Sequence, residues 1–214
     1  MGVLDRAFAA VYDPVLANAE RAGLGAKRRE LLSPLRGHVV EIGAGTGANL
    51  PHLGGGVEHL TLLEPTPEMA ERLRVRASRA ASNGTRVEVL EAPAEALPVG
   101  DGQVDAVVST LVLCSVDDLA GSLAEIRRVL RPGGRLVLLE HVAARGRAHR
   151  VQRLLEPAWR VAARGCHLTR DTGAALVDAG FDTAGIAPWR LPAGGPTGAA
   201  IAGSAWLRAG SASG

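Results

Sequence analysis

Three alternating glycines that directly follow a short apolar run constrain this chain more than any other feature. The apolar run occupies residues 39–42 (VVEI), and the glycines stand at positions 43, 45 and 47. A run this short is typical of a buried parallel strand rather than a helix. Glycine permits positive φ and close approach to a ligand, and the first amides of a short helix predicted from Ala48 remain free to donate. The segment predicts a nucleotide-type binding loop.

The spacing of the glycines distinguishes between kinds of nucleotide-binding loop. Dinucleotide-binding folds use G-x-G-x-x-G, whereas here G-x-G-x-G follows the acidic Glu41. This spacing disfavours a nicotinamide-dependent dehydrogenase, and the sequence has no Gly-Lys-Ser/Thr of a P-loop. A second apolar run ends in Glu64, about twenty residues beyond the loop, where such folds place an acceptor for ribose hydroxyls. The alternative for Glu64 is a solvated strand end.

The composition of the chain narrows the range of protein classes to which it can belong. The chain has 214 residues, which suits one domain, and 47% hydrophobic residues, which suits an ordinary core. Its net charge of +2 gives no electrostatic footprint for nucleic acid. Cys114 and Cys166 lie far apart and outside any metal-ligand spacing, so we expect no metal. Neither a leader peptide nor a membrane span is predicted, and a cytoplasmic protein is the expectation.

Strands and helices are predicted to alternate along the first two thirds of the chain. Further strands are expected at residues 86–90, 105–109, 135–141, 181–187 and 200–207, and helices at residues 67–81, 119–130, 147–163 and 171–179. A turn-rich loop between the last two strands favours an antiparallel hairpin. We predict an α/β fold: one Rossmann-like, doubly wound sheet of seven strands, the last antiparallel, with helices on both faces.

The predicted domain extends over residues 1–207 and ends in a flexible tail at 208–214. Residues 1–35 are expected to form lid helices, in which the basic run Lys27-Arg28-Arg29 faces solvent. Tyr12 either joins the apolar face of the first helix or covers a substrate pocket. Residues 144–170 are expected to form an insertion on the substrate side.

Several stretches resemble a known enzyme family. The E-x-G-x-G-x-G order resembles motif I of the class I S-adenosylmethionine (SAM) methyltransferases. Residues 97–105 and 125–134 are similar to later motifs of the ubiquinone/menaquinone C-methyltransferases in that superfamily. A narrower similarity, to the branch whose animal members are alkyl-thiol S-methyltransferases, rests on residues 110–116, 140–144, 156–159 and 165–170. Those animal members carry an N-terminal hydrophobic anchor with no counterpart in this sequence, which argues against a membrane-bound acceptor.

The resemblance implies SAM as cofactor and S-adenosylhomocysteine as product. Glu41 would meet the methionine end of SAM and Glu64 the ribose. Many quinone-type relatives place an Asp at the adenine amino group where this chain has Pro93, so adenine recognition would use the Ala94 backbone, Glu95, Met69 or Leu111. The predicted cofactor residues are Glu41, Gly43, Ala44, Gly45, Gly47, Asn49, Glu64, Pro65, Met69, Ala94, Glu95 and Leu111.

The same resemblance favours a thiol acceptor. A thiol of pKa about 8.5 is mostly protonated at neutral pH, so a base or cation beside it would raise the reaction rate by favouring the thiolate. Candidate catalytic residues are His141, His167 and Arg170, and candidate substrate contacts are Tyr12, Cys114, Trp159 and Thr169. Each has a structural alternative: His141 as a semi-buried histidine, Arg170 as an ion-pair partner of Asp171, and Cys114 as a small buried apolar residue.

The expected reaction is in-line methyl transfer from SAM to a small molecule, with thiol sulfur as the favoured acceptor. The alternatives are N-, O- or C-methylation of a small metabolite, a quinone precursor or a phospholipid head group, and a non-catalytic SAM-binding protein. The sequence leaves open whether the protein is a monomer or a homodimer.

Overall fold

The computed structural model describes residues 17–80, 84–163, 165–192 and 194–208. The strands are β1 (Arg36–Ile42), β2 (Gly56–Leu63), β3 (Arg86–Leu90), β4 (Val104–Thr110), β5 (Leu130–His141), β6 (Phe181–Asp182), β7 (Ile186–Arg190) and β8 (Ala199–Leu207). The α-helices are α1 (Gly25–Leu32), α2 (Pro67–Ala80), α3 (Leu119–Val129), α4 (Gly146–Ala162) and α5 (Thr172–Asp178). A π-helical segment (Glu20–Leu24) precedes α1, and short 3-10 helices form at Leu50–His52 and Gly195–Thr197.

All eight strands join one mixed sheet. Its order is β3-β2-β1-β4-β5-β8-β6, and β7 also pairs with β8. Strands β1 to β5 are parallel, whereas β8 runs antiparallel to β5, β6 and β7. The predicted α/β fold, with its antiparallel last strand and final hairpin, is confirmed.

The sheet has one strand more than predicted, because the predicted strand at residues 181–187 is broken. The side chain of Asp182 accepts a hydrogen bond from the Ala184 N–H at 3.0 Å, and the Ile186 N–H donates to the Thr183 carbonyl at 2.9 Å. These bonds form a turn, since an Asp side chain competes with the sheet for nearby backbone donors. The turn separates β6 from β7.

Helices cover both faces of the sheet. On one face, Val40 and Leu136 belong to a buried cluster with Ile126 of α3 and other residues of α3 and α5. On the other face, Val39 packs in a cluster that includes Leu73 of α2 and residues of α1. Parallel strands buried on both faces require continuous apolar runs, which is the pattern that the sequence has.

Two stretches that resemble methyltransferase motifs are joined by Arg128. Its guanidinium donates to the Val99 carbonyl at 2.8 Å, to the Leu97 carbonyl at 2.9 Å and to the Asp101 carboxylate at 2.6 Å. A second carboxylate, that of Glu125, lies 2.7 Å from Arg128. The motif similarity at residues 97–105 and 125–134 therefore reflects packing between the loop before β4 and the end of α3.

The N-terminal region departs from one expectation. Helix α1 forms where predicted, but Arg28 is only 4% exposed rather than solvated. Residues 1–16 of the predicted lid, including Tyr12, lie outside the described residues, as does most of the predicted tail. Within the described ranges, no helix has the length and hydropathy needed to cross a bilayer.

The strand order indicates where on the sheet a ligand is expected to bind. The chain winds outward from β1 to β3 in one direction and from β4 to β5 in the other, so β1 and β4 are adjacent at the switch point. In doubly wound folds, ligands bind in the crevice beyond the carboxyl ends of the strands at this point. The glycine loop leaves β1 there, Glu64 follows β2, and Leu111 follows β4.

Alanine substitution of a glycine in the loop and of a glycine outside it tests how tightly the loop is packed. Gly43 has φ of +54°, and a Cβ at this position would lie 2.6 Å from Val112 Cγ2. Gly133 also has positive φ, +80°, but a Cβ there would meet nothing within 4 Å. We expect Gly133→Ala to lower the free energy of unfolding by about 1 kcal/mol, because of backbone strain, and Gly43→Ala by about 3 kcal/mol, because crowding is added. Urea unfolding measures both, and equal losses would contradict the steric argument.

Candidate functional site

The loop after β1 curls over the carboxyl end of the sheet. Gly43, Gly45 and Gly47 have φ of +54°, +59° and +87°, and the Ala44 N–H donates to the Leu63 carbonyl at 2.8 Å. The helix predicted from Ala48 is reduced to the 3-10 helix Leu50–His52. Three glycines at positions 54–56 follow it, and such a run disfavours continuation of a helix.

A buried chain of hydrogen bonds holds the end of β1. Asn49 Nδ2 donates to Glu41 Oε1 at 3.0 Å and to Thr110 Oγ1 at 3.0 Å. Arg28 Nη1 donates to Asn49 Oδ1 at 2.6 Å, and Arg28 Nε donates to Glu20 Oε1 at 2.9 Å. Sequence reasoning missed Arg28, because a run of three basic residues does not indicate which one points inward. Helix α1 is therefore anchored to the predicted cofactor site.

Glu41 carries an incompletely satisfied carboxylate. It is 3% exposed, and its Oε2 atom has no hydrogen-bond partner among the described residues. Burial raises its pKa to about 7, although the hydrogen bond from Asn49 and the charge of Arg28 act in the opposite direction. A buried carboxylate oxygen of this kind fits a cationic donor such as the α-ammonium of SAM. The loop and the free oxygen together fit the methionine end of that cofactor.

Glu64 is buried and bound to the backbone on both sides. Its Oε2 accepts from the Gly45 N–H at 2.9 Å and its Oε1 from the Thr66 N–H at 2.9 Å. The solvated strand end that was the alternative for this residue is therefore wrong. Each carboxylate oxygen can accept a further hydrogen bond, so Glu64 fits a ribose diol while it fixes the glycine loop to the start of α2.

The residues predicted to contact adenine include buried apolar side chains and one residue with a strained backbone. Met69 and Ala94 are buried, whereas Pro65 next to Glu64 is exposed. Leu111 has φ of +60°, the only positive φ of a non-glycine residue in the described part of the chain. Such conformations concentrate at functional sites. Glu95, a predicted adenine contact, accepts a hydrogen bond from the Asp118 N–H at 3.3 Å, which ties its loop to the start of α3.

A third buried acid organises the segment after β4. Glu140 accepts hydrogen bonds from Ser109 Oγ at 2.7 Å, the Val112 N–H at 3.0 Å and the Cys114 N–H at 3.1 Å. Burial raises the pKa of this carboxyl group. Glu140 lies in the family-like stretch at residues 140–144, but no role was predicted for it from the sequence. The available signal was an acid inside the otherwise apolar run of β5.

The fold brings the two cysteines and one histidine together. Cys166 Sγ lies 3.5 Å from Cys114 Sγ and 3.4 Å from His141 Nδ1. The hydrogen bond with Cys114 is the largest cause that lowers the pKa of Cys166 to about 4, and His141 adds to it. The ring of Trp159 meets His141 edge-on, with centroids 6.3 Å apart. The spacing of the two cysteines in the sequence gave no sign of this proximity, because sequence separation does not measure distance.

The remaining predicted residues surround this cluster. His167 Nδ1 lies 3.4 Å from Glu156 Oε1, and the other oxygen of Glu156 accepts from the Thr169 N–H at 3.1 Å and from the Thr169 hydroxyl. Arg170 donates to the Leu113 carbonyl at 2.8 Å and to the Val116 carbonyl at 2.7 Å. Its observed partners are thus backbone carbonyls of the segment after β4, and Asp171 instead caps α5.

The arrangement gives two groups of side chains at one edge of the sheet. The first, built on Glu41, Asn49 and Glu64, lies beside the glycine loop at β1 and β2. The second, built on Glu140, the cysteine–histidine cluster and the Glu156–His167 pair, lies beyond β4 and β5. The first group fits a cofactor with a cationic end and a ribose. The second offers imidazole and thiol groups suited to proton transfer or soft ligands.

The sequence is similar to those of known methyltransferases. A family described as a methyltransferase domain matches residues 40–138. The thiol S-methyltransferase TMT1A of Homo sapiens is 38% identical over 186 residues, which cover 81% of this chain and 72% of the relative. A ubiquinone/menaquinone biosynthesis C-methyltransferase of Geobacter sp. strain M21 is 32% identical over 107 residues, or 49% of this chain and 45% of that protein.

Solved structures confirm the fold. A SAM-dependent methyltransferase from Thermotoga maritima superimposes with a TM-score of 0.66 at 21% identity, over 95% of this chain and 98% of that one. The predicted SAM cofactor is confirmed by the family match and by these neighbours. This chain belongs to the class I SAM-dependent methyltransferases, in the branch that contains the thiol S-methyltransferases.

Proposed function

We propose that this methyltransferase acts on the sulfur of a small thiol. The observation that carries the proposal is the pairing of His167 with Glu156 beside the segment after β4, which provides a proton acceptor held next to a carboxylate. The similarity to a protein named as a thiol S-methyltransferase supports the same acceptor.

Three groups of residues at the carboxyl ends of the parallel strands would bind the cofactor. Glu41 would accept from the α-ammonium of SAM through its unpaired oxygen, and Glu64 would accept from the ribose hydroxyls. Met69, Ala94 and Leu111 would form the adenine surface, with Glu95 fixing the loop beneath it. Asn49 would position Glu41 rather than contact the cofactor, because both of its amide hydrogens already have partners.

The cofactor supplies an electrophilic methyl group on a sulfonium. The protein's part is to hold the acceptor sulfur in line with that methyl group and to exclude water. His167 would take the proton of the acceptor S–H, and the resulting thiolate sulfur would accept the methyl group from SAM, with S-adenosylhomocysteine as the leaving group. At neutral pH a thiol of pKa about 8.5 is only ~3% ionised. A base at the acceptor site is therefore useful.

His167 suits the role of base better than the other predicted catalytic residues. His141 Nδ1 is engaged with Cys166, and Arg170 is bound to two backbone carbonyls. Glu156 faces one ring nitrogen of His167 and would stabilise the imidazolium that forms when the ring takes a proton. Arg170 is then a positioning residue that shapes the segment after β4.

Acceptor contacts would come from the same neighbourhood. Trp159 supplies a partly buried aromatic wall beside His141. Thr169 supports Glu156 from both its N–H and its hydroxyl. Cys114 lies beneath this surface, since it is almost fully buried, and its role is structural in the proposal.

The direct test measures S-adenosylhomocysteine release from purified protein and SAM, with panels of small thiols, amines, phenols and quinols. We expect release with thiols, and mass spectrometry of the product should place one added methyl group on sulfur. The Glu64→Ala variant serves as the matched control for cofactor-dependent turnover. Turnover with amines, phenols or quinols, and none with thiols, would contradict the thiol proposal.

The role of His167 predicts a pH-dependent defect. At pH 7, we expect His167→Gln to lower kcat/KM for a simple thiol by up to ~30-fold, because only the ~3% of acceptor that is already ionised can react without a base. Above about pH 8.5 the thiol ionises in solution, and the defect should shrink toward none. His59→Gln, in β2, should match the wild type at each pH. A defect of constant size across this range would show that His167 is not the base.

A further inference from the structure

We propose that Cys114, His141 and Cys166 form a binding site for a thiophilic divalent cation, with Zn²⁺ the best match. The proposal goes beyond methyl transfer, since displacement at a sulfonium needs no metal. Thiolate sulfur and imidazole nitrogen are the ligands that Zn²⁺ selects in proteins.

Three separate parts of the chain converge to make the site. Cys114 lies in the segment after β4, His141 is the last residue of β5, and Cys166 lies between α4 and α5. One ligand atom from each falls within 4.8 Å of the others. Residues 52 positions apart thus meet at one point. Convergence from distant segments is a feature of metal sites that ligand spacing in the sequence does not reveal.

Two of the three separations between the ligand atoms are close to those of tetrahedral coordination, and all three atoms lie within 4.8 Å of one another. With metal–sulfur bonds of about 2.3 Å and metal–nitrogen bonds of about 2.0–2.1 Å, two sulfurs lie about 3.8 Å apart and a sulfur and a nitrogen about 3.6 Å apart. The observed distances are 3.5 Å between the sulfurs and 3.4 Å from Cys166 Sγ to His141 Nδ1. Small outward shifts of the side chains would admit the ion. A set of two cysteines and one histidine leaves one coordination position open.

The backbone around the ligands is already fixed. The Cys114 N–H donates to Glu140 at 3.1 Å, and the Cys114 carbonyl accepts from the His167 N–H at 2.8 Å. The Cys166 N–H donates to the Ala163 carbonyl at 3.2 Å. Both cysteines are nearly inaccessible to water, with 1% and 4% exposure. Supported, buried ligands lower the entropic cost of binding an ion, so the arrangement is suited to a metal.

A disulfide is the competing explanation for two sulfurs at this distance. A disulfide would use Cys114 and Cys166 alone and would give no reason for His141 Nδ1 to lie 3.4 Å from the same sulfur. A bound ion accounts for all three groups. The two explanations also differ in redox chemistry, because a metal site keeps both thiols reduced.

The test uses the full chain purified under a non-thiol reductant. After incubation with ZnCl₂ and removal of excess metal by gel filtration, we expect about one equivalent of zinc per chain by mass spectrometry. Substitution with CoCl₂ should give the visible bands of tetrahedral Co²⁺ and a thiolate-to-metal charge-transfer band. Cys166→Ser and Cys114→Ser should each weaken zinc binding by at least ~10-fold, the loss seen when even a supporting group is removed.

His59→Gln is the matched control, since it removes a histidine that pairs with Glu88 away from the cluster, and it should retain the zinc. Circular dichroism and S-adenosylhomocysteine binding establish that each variant is folded, independently of turnover. The proposal is overturned if the wild type retains no zinc, if the cysteine variants retain as much as the wild type, or if a Cys114–Cys166 disulfide is found in the purified protein.

Discussion

The burial of the Glu41 carboxylate at the end of β1 is the constraint on which the site depends. One of its oxygens is bound by Asn49, and the other has no partner within the described chain. An unpaired buried charge is costly, so burial shifts the Glu41 carboxyl group toward its neutral form and a cationic partner would favour the ionised form. Asn49 is itself held by Arg28, a residue of α1. Helix α1 and the glycine loop are thereby coupled to Glu41, which is the proposed partner of the cofactor's cationic end.

Buried acids that accept hydrogen bonds occur at three places along the carboxyl edge of the sheet. Glu41 in β1, Glu64 after β2 and Glu140 in β5 are all buried, and each accepts hydrogen bonds from a neighbouring loop or side chain. Backbone amides of loops at a sheet edge would otherwise have no partners. Each acid therefore holds one neighbouring loop through these hydrogen bonds. Methyl transfer requires alignment of the reacting groups, and loops held in this way suit that requirement.

Much of the fold was predictable from the sequence, because it rests on local patterns. The runs at β1, β2 and β4 are apolar on both faces, which parallel strands require, and Asp118 and Asp171 cap α3 and α5 with side-chain hydrogen bonds. Glu41 and Glu64 were identifiable because their spacing from the glycine loop is set by the fold itself.

Other features depend on tertiary contacts that no local pattern encodes. The inward direction of Arg28 is decided by Glu20 and Asn49, and the partners of Arg170 are carbonyls of a segment more than fifty positions away. The cluster of Cys114, His141 and Cys166 arises from strand order, which brings β4 and β5 side by side, and from the loop that returns after α4. The break between β6 and β7 came from an Asp side-chain turn within an otherwise strand-like run.

The central claim, that Glu41 receives the cationic end of the cofactor, is tested most directly by the pH dependence of S-adenosylhomocysteine affinity. Because burial raises the Glu41 pKa to about 7, lowering the pH from about 7.5 to about 5.5 protonates the carboxylate, and affinity should fall by up to ~10-fold per pH unit. Glu41→Gln should bind weakly with no pH dependence in this range. 5′-Methylthioadenosine, which lacks the amino-acid portion, should bind both proteins equally at each pH. An unchanged affinity of the wild type across this range, or an equal loss for both ligands in the variant, would contradict the account.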